Sequence, residues 1–115
     1  MHYEALRSLC LYFPAVTEDI KWEHDLCFSI AGKMFCVARL EAPFTFSLKV
    51  TEEEFEELIS SPAIKPAPYL ARYKWVLIED ANVLDLTRLT HLVRQSYELI
   101  KGKLAKKDLK AAGLL

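Results

Sequence analysis

Residues 26–38 read Leu-Cys-Phe-Ser-Ile-Ala-Gly-Lys-Met-Phe-Cys-Val-Ala, and this stretch decides the fold class. Leu26, Phe28 and Ile30 alternate with Cys27 and Ser29, while Phe35 and Val37 alternate with Met34, Cys36 and Ala38. A side-chain period of two is the mark of a strand whose two faces meet different surroundings. Ala31-Gly32 between the two runs predicts a tight hairpin turn. Two registers stay open. A plain two-residue loop sets Cys27 directly opposite Cys36, but Ala31 resists the positive φ that favoured hairpin turns demand there. A bulged alternative slips the pairing by one residue and separates the two thiols.

Working outward, Phe44-Thr45-Phe46-Ser47-Leu48-Lys49 alternates without a fault and predicts a third strand of the same kind. Upstream, Asp19 to Glu23 predicts a strand with Ile20 and Trp22 between charged residues, and His24-Asp25 a turn. Tyr3, Leu6, Leu9, Cys10 and Phe13 recur at helical spacing and Pro14 supplies the stop. Downstream, Thr51-Glu52-Glu53-Glu54 matches a capping box for a short acidic helix that buries Phe55, Leu58 and Ile59. Pro62, Pro66 and Pro68 make residues 60–68 an extended or turning connector. Lys74 to Glu79 predicts a last strand, apolar on both faces at Trp75, Val76, Leu77 and Ile78. Asp85 is the expected N-cap of the longest helix, with Leu86, Leu89, Leu92, Val93, Tyr97, Ile100 and Leu104 on one stripe. Strands in one run with helices at the ends indicate α+β, an antiparallel sheet packed against N- and C-terminal helices. Residues 1–104 are expected to form one domain and 105–115 a basic and apolar tail.

Composition narrows the function classes. At 115 residues, 52% hydrophobic and 27% charged, the chain is sized for one domain with a real core. Three Gly against five Pro leave no glycine-rich phosphate loop. No run approaches a membrane span, and Met1-His2-Tyr3-Glu4 lacks the basic start and apolar run of a signal peptide, so a cytoplasmic location is expected. Cys10, Cys27 and Cys36 are odd in number, share no Cys-x-x-Cys spacing and lie in apolar periodic stretches, which predicts buried reduced thiols. The net charge of −1 hides an asymmetry: residues 1–64 carry five Lys/Arg against eleven Asp/Glu, residues 65–115 ten against five.

Four pieces then occur in a telling order: Ile30-Ala31-Gly32-Lys33-Met34-Phe35, Phe46-Ser47-Leu48-Lys49, Pro66 to Val76, and Ser96-Tyr97-Glu98-Leu99-Ile100. Together they resemble the YjbR/MmcQ family, over about Leu6 to Lys101. The resemblance implies a CyaY-like, frataxin-related α+β fold and a DNA-binding role ascribed to a double-wing arrangement. The chain departs from the family pattern with Ala31-Gly32 where a Gly-Gly turn is common, and with Ala67-Pro68-Tyr69 where Pro-Gly-Tyr is common.

The residues offer one binding constellation. Arg72-Tyr73-Lys74-Trp75, with Lys33 and Lys49 at strand or hairpin ends, mixes cations that contact phosphates with aromatics that stack on bases. The expectation is a weak DNA-binding module without catalytic activity. The alternative is a protein-interaction or small-ligand adaptor in which Tyr69, Tyr73 and Trp75 converge in a pocket. The glutamates of 52–57 lack His or Cys partners and read as a solvated face, so neither metal nor cofactor is expected. Cys36 with His24 is the sole nucleophile–base pairing worth naming and lacks an orienting group, while Asp19, Glu23 and Asp25 read as a strand's solvent edge. The apolar end Ala112-Gly113-Leu114-Leu115 makes the C-terminal helix or tail a candidate homodimer contact.

Overall fold

In the computed structural model, which describes residues 3–115, three strands form a meander: β1 (Val16–Lys21), β2 (Asp25–Ile30) and β3 (Lys33–Arg39). The first of these corrects the expectation of Asp19–Glu23. Pairing starts at the β-branched Val16-Thr17 and ends before Trp22 and Glu23, whose φ values of 53° and 66° turn the chain. Asp25 is consequently no turn residue but opens β2, opposite Lys21 on one side and Arg39 on the other.

Both features weighed for the hairpin are present at once. Ala31 and Gly32 take φ of 49° and 79°, as the two central positions of a type I′ turn require. The pairing then slips: Ser29 faces Met34 but Phe28 faces Cys36, so Phe35 is an extra residue in β3. Cys27 therefore faces Val37, and the two thiols are not cross-strand partners. Cys36 instead neighbours Cys10 of the first helix, and burial, with Cys36 beside it, pushes the Cys10 thiol far up.

The sheet continues with β4 (Phe46–Lys49), β5 (Ile64–Pro66) and β6 (Trp75–Ile78), giving the antiparallel order β1-β2-β3-β4-β6-β5. β6 is interior, which accounts for its two apolar faces. The proline connector holds a strand of its own, β5, tolerated because it is an edge and Pro66 closes it.

The helices lie on one side. α1 (Tyr3–Leu11) packs on β1, α2 (Glu52–Leu58) on β5 and β6, and α3 (Leu86–Lys101) on β3 and β4. Leu6, Phe28, Ile30, Phe35, Leu48, Val76, Leu89, Leu92, Val93 and Tyr97 make the fully buried core beneath them. Each large apolar side chain so buried stabilises by roughly 1.5–3 kcal/mol. Arg7 and Glu18 join α1 to β1 through two bonds of 2.8 and 2.6 Å. The capping box of α2 is half formed: Thr51 accepts from the Glu54 N–H at 3.2 Å, but the Glu54 carboxylate meets His91 of α3 at 3.0 Å.

Two residues of the Ser-Tyr pair fasten α3 to the sheet. Tyr97 stacks on Phe13 at 4.9 Å and donates its hydroxyl to the Pro14 carbonyl at 2.7 Å. Ser96 accepts from the Lys49 N–H at 3.0 Å and donates to the Phe35 carbonyl at 2.5 Å. The bulge displaces the β3 carbonyl that Lys49 would otherwise meet, and the serine hydroxyl spans the gap. Residues 105–115 continue the fold: α4 (Lys106–Ala111) forms, and Leu104 and Leu114 pack against the core while Leu115 stays exposed. Among the described residues, no helix is long and apolar enough to cross a membrane.

Candidate nucleic-acid interface

The Ala31-Gly32 turn marks one end of the sheet, where β3 begins, β4 ends at Lys49 and β6 begins at Trp75. Lys33 and Lys103, with Ile100 and Leu104, line a hollow of about 290 Å³ there. Lys49 reaches across from β4 and donates its Nζ to the Tyr73 carbonyl. Burial, and after it the Lys103 ammonium beside it, hold the Lys49 ammonium below its ordinary range. Tyr73 ends a 3₁₀ turn, Ala71–Tyr73, which Lys74 closes in the left-handed region at φ 64°. The Arg72 guanidinium lies 4.8 Å over the Tyr73 ring and donates to its hydroxyl at 2.7 Å. Lys74 Nζ stands 4.8 Å from the Phe55 ring. A second hollow, of about 260 Å³, is lined by Ala31 and by Asp108, Ala111 and Ala112. α4 thus lies beside the hairpin turn and brings Lys106, Lys107 and Lys110 to this end.

Elsewhere three cations are paired with carboxylates. Arg7 is paired with Glu18, Lys65 with Glu79 at 2.9 Å, and Arg88 stands between Glu54 and Glu57 at 3.8 Å. Among the described residues, no carboxylate stands within ion-pair distance of Lys33, Lys49, Arg72, Lys74, Lys103 or the lysines of α4. Neighbouring ammonium groups without counter-charges gain most from an anion that spans several of them, such as a run of phosphates.

Of the residues singled out in the sequence, Lys33, Lys49 and Tyr73 are brought together, and Arg72 and Lys74 flank them. Their roles differ. Lys49 is only 8% exposed and serves the backbone of Tyr73, and Trp75 is only 5% exposed and presents no ring to a base. Tyr73 is half exposed beneath its arginine. The lysine that completes the cluster, Lys103, and those of α4 were not among the expected site residues. The signal that they return to the hairpin was the apolar spacing of Leu104 and Leu114.

The other pairings do not assemble. Cys36 is wholly buried, while His24 meets Glu41 at 2.9 Å in the loop after β3. Among the described residues, no three His, Cys, Asp or Glu gather as a metal-ligand set. Tyr69 lines a cleft on the helix-free face of the sheet, which Tyr73 and Trp75 do not enter.

Comparison with known proteins agrees with this architecture. The family model for YjbR matches residues 11–99. The crystal structure of the Deinococcus radiodurans protein DR2400, which carries the DUF419 domain, superposes with a TM-score of 0.83 at 28% identity, covering 96% of this chain and 86% of that one. A Pseudomonas syringae protein solved by structural genomics superposes at 0.72 with 17% identity, covering 87% and 99% of the two chains, and shares the fold. No curated protein matches the sequence.

Proposed function

This chain belongs to the YjbR family, and from that premise we propose that it is a non-catalytic, cytoplasmic module that binds nucleic acid weakly, through phosphates, at the basic end of its sheet. The observation that carries the reading is the gathering of unpaired cations there: Lys33, Arg72, Lys74, Lys103, Lys106, Lys107 and Lys110 around the hairpin turn. The acidic side chains of β1 and of the loops at the opposite end of the sheet lie away from this surface, whereas Glu52 and Glu53, which follow Lys49 into α2, and Asp108 beside the hairpin turn border it. The net charge of −1 is therefore a poor guide to the potential at this surface. With Lys49 and Trp75 serving the fold, contacts to phosphate dominate and sequence preference is slight. We read the architecture as CyaY-like, a reading supported by an antiparallel sheet with α1 and α3 side by side on one face.

The direct test is fluorescence anisotropy of labelled duplex and single-stranded DNA. About four phosphate contacts give a salt slope near −3.6, so raising salt from about 50 to 200 mM weakens binding about 150-fold. The double variant Arg72→Ala/Lys74→Ala is expected to bind more weakly with a shallower slope. Absence of binding at the lower salt sinks the proposal.

A further inference from the structure

The face of the sheet opposite the helices carries a cleft of about 420 Å³. Its floor is Met34, Val37 and Ser47 of β3 and β4, and its sides are the Trp22 turn and the segment Ala67 to Leu70. That volume lies within the range of small-molecule sites, roughly 300–1,000 Å³.

Two features of its rim need explaining. Trp22 and Tyr69 are 65% and 99% exposed, although large aromatic rings are ordinarily buried. Both also sit on left-handed backbone, at φ 53° and 67°, a region that suits glycine or asparagine and penalises bulky side chains. Glycine at either turn relieves the backbone, and a polar residue better suits water. Holding two unpacked rings in strained positions on either side of one cleft is the pattern of a site that clamps a flat partner. The third feature is Asp25, which lines the same cleft. Among the described residues it has no ion-pair partner, although Lys21 and Arg39 flank it across the ladder.

We infer that this cleft binds a planar nitrogen heterocycle, stacked between Trp22 and Tyr69, with paired N–H donors on the Asp25 carboxylate. A guanine-type edge, with two adjacent N–H groups, matches the two oxygens of a carboxylate. The Ser47 hydroxyl in the floor supplies a further donor or acceptor. A free nucleoside and an unstacked base of a single strand present the same chemistry to the site. Neither source requires the basic end of the sheet.

The test is an amide- and indole-resolved NMR titration with guanosine, inosine and adenosine, then with a single-stranded oligonucleotide containing one guanine. Guanosine is expected to shift the Trp22 indole N–H and the amides of Val37, Ser47 and Tyr69 saturably, at a Kd of about 1 mM or tighter. Inosine, which lacks the 2-amino donor, and adenosine are expected to bind more weakly. Tyr69→Ala, at a fully exposed position, should weaken guanosine about tenfold without altering thermal stability downward. Asp25→Asn should abolish the preference over inosine. Shifts by the free nucleoside identify a small-molecule site, and shifts by the oligonucleotide alone identify a base presented by a strand. If neither probe moves the cleft resonances, or if Tyr69→Ala binds guanosine as well as the natural chain, the inference fails. Failure of the nucleic-acid reading leaves a different trace, in the resonances of Lys33 and residues 101–110.

Discussion

Ser96→Ala deletes one hydroxyl and is expected to cost this fold several kcal/mol. The hydroxyl is wholly buried, accepts from the Lys49 N–H at 3.0 Å and donates to the Phe35 carbonyl at 2.5 Å. Alanine leaves both backbone groups without a partner at the bulge, where β3 and β4 cannot close on each other. An unsatisfied buried group costs about 1–3 kcal/mol, so the pair amounts to about 3 kcal/mol. For a domain of this size that lowers Tm by about 12 °C. Thermal and urea unfolding followed by circular dichroism measure it, with Thr90→Ala on the same helix as control. Thr90 bonds back to the Leu86 carbonyl at an exposed site, and its removal should change stability by no more than about 0.5 kcal/mol. A Tm loss below about 3 °C for Ser96→Ala, with an unchanged urea slope, refutes the bridging role.

Three other outcomes follow from the same geometry. Lys103→Gln removes a like charge that, after burial, depresses the Lys49 ammonium, so it should weaken DNA binding while leaving stability at pH 7 unchanged or slightly higher. A base whose folded pKa is depressed costs the fold stability while it is charged in both states and stops doing so once it is neutral in both, so the stability gain should fade in alkaline solution. Ala31→Asn suits φ of 49° at the first turn position and should raise Tm by about 2–4 °C in a melting experiment, from relief of about 0.5–1 kcal/mol. Cys10, Cys27 and Cys36 are all wholly buried, so a disulfide-exchange reagent should titrate them only as the protein unfolds, with Cys10 and Cys27 further protected by raised pKa values.

Much of the fold was legible because apolar periodicity is a local signal. The alternation of Leu26–Ile30 appears in the structure as a strand, that of Phe44–Lys49 as a strand from Phe46 onward, and the stripe from Leu89 to Tyr97 as a helix, all facing one core. What was not legible depends on contacts distant in sequence. The hairpin register turned on Ser96, 61 residues from Phe35, whose hydroxyl satisfies the bulge carbonyl. The start of β1 turned on Ala15 taking a left-handed φ of 64°, which frees Val16 to pair at once. Residues 105–115 read as a tail because six helical residues have little intrinsic stability, and Leu104 and Leu114 anchor them only through packing. The site suffered most. Lys49 and Trp75 carry the right chemistry in the sequence, but burial assigns both to the fold, while Lys103 enters only once α3 is laid over the sheet.

The basic end is tested most directly by a two-dimensional NMR titration of the full chain with a short DNA duplex at low salt. Phosphate binding there predicts saturable shifts at Lys33, Arg72 to Lys74 and residues 101–110, all reversed by added salt. Shifts confined to other surfaces, or none at saturating duplex, would contradict it.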